Sequence, residues 1–304
     1  MTQVKLLMAL CAAALLSGCR FWYKPVPVEN AVGEQETVLA GDTVNFYRDR
    51  GGRFEIYGPS SEVVFDGYEQ VNRAYRAFER YFGAPAPKLA VVLHPDSVVP
   101  MDATAQRTLR ERGHTIMTYA RPGSVRSRRR YTAIDYGGIT WPVAPSVARV
   151  LLARFGDAQL GGTVRADSEV LDHFPLWYRA AIIHLVGEAG AEEYDLDQVR
   201  EKRNLLLPLK DLIVMVRPTA ADSTLDPSRR SEADELSLTI GAQSAMVARY
   251  LVEREGPAVL GRLARGYLAN RPVTDMLAEF HSAPRNVAEL ERRWLMWLDS
   301  RQDY

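Results

Sequence analysis

Hydrophobic and polar positions change period about halfway along the chain. The early segments alternate. Val44-Asn45-Phe46-Tyr47 and Arg53-Phe54-Glu55-Ile56-Tyr57 flank Gly51-Gly52, which predicts two strands of a hairpin. Ser60-Ser61-Glu62 then caps a helix that runs to Phe82 and stops before Gly83 and Pro85. Its aromatics, Phe65, Tyr68, Tyr75, Phe78, Tyr81 and Phe82, recur at helical spacing and read as core. Lys88 to Leu93 is a compact apolar strand, and Asp102 to Arg112 a short polar helix. Thr115 to Tyr119 and Tyr131 to Tyr136 predict two more strands around a solvated tip carrying Arg126, Arg128, Arg129 and Arg130.

After Tyr136-Gly137-Gly138 the period becomes helical. The predicted helices are Ala144–Phe155, Val170–Gly187, Glu235–Glu255, Pro257–Leu268, Val273–Phe280 and Val287–Asp299. Leu205 to Val216 is an apolar insert of mixed character around Pro208. The expectation is an α+β fold: a strand-rich N-terminal subdomain over 41–140, then a mainly helical half over 141–304.

The N-terminus follows neither pattern. A short positive start ending at Lys5 leads into an apolar run from Leu6 to Leu16. That is too short to span a bilayer and reads as a secretory signal. It closes in Leu16-Ser17-Gly18-Cys19, which resembles a bacterial lipobox. The resemblance implies a signal peptide over 1–18, acylation of Cys19, and a tether over 19–40. Arg20 after the cysteine points to the outer membrane, facing the periplasm. No later stretch is apolar enough to cross a membrane.

Composition adds little beyond this address. The 304 residues are 47% hydrophobic and 25% charged, ordinary for a globular chain. Basic and acidic residues balance at 38 each, so no global field invites nucleic acid. Removing 1–18 takes Lys5 and no acid, leaving 37 − 38 = −1. Both cysteines, Cys11 and Cys19, precede the folded region, which excludes disulfides and thiol chemistry there.

Several local motifs, in order, resemble the peptidase MA-like branch of the gluzincin zinc metallopeptidases. Pro175-Leu176-Trp177-Tyr178-Arg179-Ala180-Ala181 occupies the place of a Pro-x-Trp-Leu-x-Glu-Gly helix. Pro208-Leu209-Lys210-Asp211-Leu212 matches a Pro-Leu-x-x-Leu segment. Gln243-Ser244, Val247 and Tyr250-Leu251 match a Gln-Ser helix, Glu255-Gly256 its terminal break, and Trp294 and Trp297 a tryptophan-bearing last helix. The likeness runs from about residue 53 to the C-terminus.

The family's chemistry requires two histidines one helical turn apart, a glutamate beside the first, and a third ligand on the next helix. In the matching register Ala148 and Leu152 stand at the histidine positions, Arg149 at the base and Ala180 at the third ligand. Gly241 stands where family members often place a tyrosine. No histidine or glutamate lies between Trp141 and Ser168, so no shift of register restores the motif.

The expectation is therefore a catalytically dead, lipid-anchored envelope protein with no metal or cofactor. It would bind a peptide or protein partner in a degenerate cleft of Ala148, Arg149, Leu152, Trp177, Ala180 and Gln243. Two alternatives remain open: an active hydrolase with rearranged metal ligands, and a purely structural envelope lipoprotein. For the first, His184 with Glu188 and Glu169 with His173 offer pairs four residues apart. Glu192-Glu193 and Asp195-Asp197 read as a solvated helix-start loop.

Overall fold

The structure is a computed structural model that describes residues 35–39, 42–48, 52–58, 61–94, 103–120, 143–162, 165–187, 192–215 and 227–301. The predicted strand at Tyr131–Tyr136, the arginine-rich tip and the segment containing Cys19 lie outside these residues.

A five-stranded sheet carries its strands in chain order: β1 (Gln35–Leu39), β2 (Asp42–Arg48), β3 (Phe54–Gly58), β4 (Leu89–His94) and β5 (Thr115–Ala120). The first two pairings are antiparallel; β3–β4 and β4–β5 are parallel. Parallel neighbours need a crossover. The long helix α1 (Ser61–Phe82) supplies it between β3 and β4, and the short α2 (Ala103–Glu111) between β4 and β5. Ile56 pairs with Val91, and Val91 with Met117, so one apolar row crosses the parallel strands. β3 is buried at every position, because both faces of the sheet are covered there. Under α1, the Phe54 ring lies 4.9 Å from Tyr75. The Tyr75 hydroxyl donates to the Pro87 carbonyl at 2.6 Å, tying the helix to the loop before β4.

The second half is helical: α3 (Ala144–Gln159), α4 (Asp167–Leu171), α5 (Leu176–Ile182), α6 (Glu192–Glu201), α7 (Leu209–Val214), α8 (Pro227–Glu255), α9 (Val259–Leu268), α10 (Val273–Ala278) and α11 (Val287–Asp299). α8 packs on α5 and α6, and α3 on α1 and α4. α5 continues into one π-helical turn, Ile183–Gly187, that packs on α3. A Cβ at Gly187 would stand 2.6 Å from the Pro145 Cα, so only glycine permits this approach.

The fold is thus mixed α+β, with the sheet in the N-terminal part. Four details differ from the sequence expectation. Gln35–Leu39, expected in the tether, is a strand that pairs with β2. The helix expected over Val170–Gly187 is broken, because Pro175 has no N–H to continue it and Phe174 and Pro175 leave helical geometry. Helix α6 replaces the expected loop at Glu192–Asp197. Finally, the described residues on either side of 140 share one core. Phe78 and Phe82 of α1 pack on Phe155 of α3, with Phe82 and Phe155 centroids 4.9 Å apart. One cluster of buried residues runs from Phe54 to Leu298.

Candidate functional site

α3 turns one apolar face inward. Val147, Ala148, Leu151 and Leu152 are at most 1% exposed, so the two positions matched to metal-binding histidines hold hydrocarbon inside the core. Arg149 projects from the other face, exposed, with no ion pair among the described residues. Arg154, one turn later, is spent on Asp157, Asp167 and the Arg165 carbonyl.

On α5, Ala180 is half-buried. Trp177, expected to line a cleft, is core: it is 1% exposed, with its ring edge-on to Tyr178 at 5.8 Å. The buried Tyr178 hydroxyl donates to the Leu260 carbonyl at 2.7 Å. Burial pushes its pKa up, the Tyr267 charge adds to this, and Arg265 opposes it. Burial also pushes the Tyr267 phenol up, with Trp177 opposing. Both phenols stay protonated at physiological pH.

Gln243 is likewise buried and does not line a cleft. Its Nε2 donates to the Leu207 carbonyl at 2.7 Å and its Oε1 accepts from the Leu207 N–H at 3.1 Å. This two-pronged clamp holds the extended stretch just before Pro208. It brings together the Gln-Ser and Pro-Leu segments that sequence order alone had associated. Of the six expected cleft residues, only Arg149 and Ala180 reach solvent.

The polar feature that the fold does create was not expected. His184, on the π turn, meets Asp195 of α6, with Nδ1 3.0 Å from Oδ1. The Asp195 side chain is fully buried, and its Oδ2 has no hydrogen-bond partner among the described residues. A buried carboxylate beside Nδ1 holds the imidazole ring in one orientation. The ring fills space beside α8: a Cβ at Gly241 would stand 2.6 Å from Nε2. His184 therefore occupies room that a side chain at position 241 would need. The expected partner Glu188 lies outside the described residues, and His173 is exposed. One signal was available in the sequence: on α6, Asp195 shares a face with Val199, four residues on, and both are buried.

A second buried carboxylate, Glu55, sits on the sheet face away from α1. It accepts from the Tyr57 hydroxyl at 2.6 Å and from Arg112 at 3.4 Å. Among the described residues, no group of three or more His, Cys, Asp or Glu is placed to hold a metal ion. No helix among them is long and apolar enough to cross a membrane. Searches of family models, curated proteins and solved structures return no match to the chain.

Proposed function

We propose that the chain is a lipid-anchored envelope protein whose metallopeptidase-like scaffold binds a peptide or protein partner and performs no metal catalysis. One observation carries the reading. Ala148 and Leu152, one turn apart on α3, present hydrocarbon to the core where the resembled family requires imidazoles. Zinc needs lone-pair donors at about 2 Å, and that face offers none. The Gln243 clamp on Leu207 supports the resemblance, because it joins two of the segments on which the likeness rests. Of the expected cleft positions, Arg149 and Ala180 are the two that a partner could touch, because they reach solvent.

The test is site-specific photocrosslinking in the native envelope, with the reactive group at position 149 or 180. A discrete adduct with one envelope protein or peptide is expected. Absence of any adduct at both positions, with efficient labelling elsewhere on the chain, supports the purely structural alternative instead. The rearranged hydrolase has one observation in its favour, the imidazole oriented by Asp195. It requires a bound metal or an acyl-enzyme that depends on His184.

A further inference from the structure

Many of the described arginines are paired. Arg53 meets Glu79, Arg112 meets Glu55, Arg203 meets Asp299, and Arg249 and Arg301 both meet Glu192. The outward row of α1 breaks this habit. Arg73, Arg76 and Arg80 are all exposed, and none forms an ion pair among the described residues. Arg80 alone makes a ring contact, with its guanidinium 5.8 Å from the Tyr81 centroid.

Their spacing of three and four residues puts them on one line along the helix. The opposite face buries Val71, Ala74, Tyr75 and Phe78, so the row cannot turn inward. Glu69 heads the row, one turn before Arg73, without bridging to it. The helix dipole favours a cation in the last turn and accounts for Arg80. It does not reach Arg73 and Arg76, which repel each other and Arg80.

We infer that this row docks on an anionic phospholipid surface, with headgroup phosphates as the ligand. Guanidinium groups donate in a planar fork that matches phosphate oxygens. With 38 basic and 38 acidic residues in the chain, the attraction comes from this face and not from net charge. The inference rests on the proposed lipid anchor. From Cys19 to Gln35 is 35 − 19 = 16 residues, a reach of roughly 50 Å when extended. The anchor would thus hold Gln35 within that distance of the bilayer, raising the local concentration of headgroup phosphate around the row.

The test has two arms. In the first, the acylated chain is placed in phosphatidylcholine vesicles with or without phosphatidylglycerol. Modification of each arginine by phenylglyoxal is then read by mass spectrometry. Arg73, Arg76 and Arg80 should be shielded only in the anionic vesicles, and exposed again at about 0.5 M salt, where screening is short-ranged. In the second, unacylated mature chain is added to the same vesicles. Changing all three arginines to glutamine should weaken its partition on the order of 100-fold, about five-fold for each arginine. Equal reactivity of the row in both vesicle types, or an unchanged partition, overturns the inference. So does shielding of the row by an acidic protein in the absence of vesicles. If Cys19 carries no acyl chain the proposed address fails, yet the second arm still decides the role of the row.

Discussion

At the scale of single residues, the most informative position is Gly241. The sequence marks it only as a departure from a motif; the structure gives it a reason. The His184 ring stands where its side chain would be, held there by Asp195. Gly241→Ala should destabilise the chain by about 1–3 kcal/mol, the usual range for overpacking. In a His184→Ala background the same change should cost almost nothing, since the clash is gone. A double-mutant cycle by urea denaturation measures this coupling. Gln243→Ala should cost about 1–3 kcal/mol by leaving the Leu207 N–H and C=O unpaired. Neither role was legible in the sequence. Gln243 looked like a cleft residue and His184 like a partner of Glu188, because their actual partners lie 36 and 11 positions away.

At the scale of elements, periodicity carried most of the information. Val287–Asp299 is a helix over the expected residues, and α1 ends at Phe82 as Gly83 and Pro85 dictate. The expectation failed where local signals were weak or conflicting. α6 is rich in acids and has few apolar residues, so its periodicity is weak and its packing on α8 helps to make it a helix. The metallopeptidase resemblance is an element-level claim about α3 and α5, and it can be tested by restoration. A chain carrying Ala148→His, Leu152→His and Ala180→Glu should lose several kcal/mol without metal, because it buries polar groups. It should regain stability on adding zinc, visible as a rise in Tm. A restored chain that ignores zinc sinks the register and with it the resemblance.

The junction after α8 carries a pH prediction. Burial disfavours the Glu255 carboxylate, but the Ala283 and Ser282 N–H groups and Arg262 outweigh it and hold its pKa below the ordinary value. A lowered folded pKa means that stability is complete above the unfolded value of about 4.3 and is lost as pH falls through the folded one. Glu255→Gln should flatten that part of the acid-denaturation curve while leaving the neutral range less stable.

At the scale of the whole molecule, the alternating and helical halves share one core, although the change of period suggested two subdomains. Phe82 of α1 against Phe155 of α3 locks the sheet-side helix to the helical layer. Urea unfolding should therefore be a single transition, with α1 and α11 losing amide protection together. Chain 35–140 alone should not fold, because α1 would expose its α3-facing aromatics. The sequence could not show this, since the period of a segment says which face is buried but not against what.

The central claim is that this scaffold works without metal chemistry. Metal content of the chain purified from its native source tests it most directly. The account predicts far less than one zinc, or any other transition metal, per chain. One metal ion per chain, lost on His184→Ala, would contradict it.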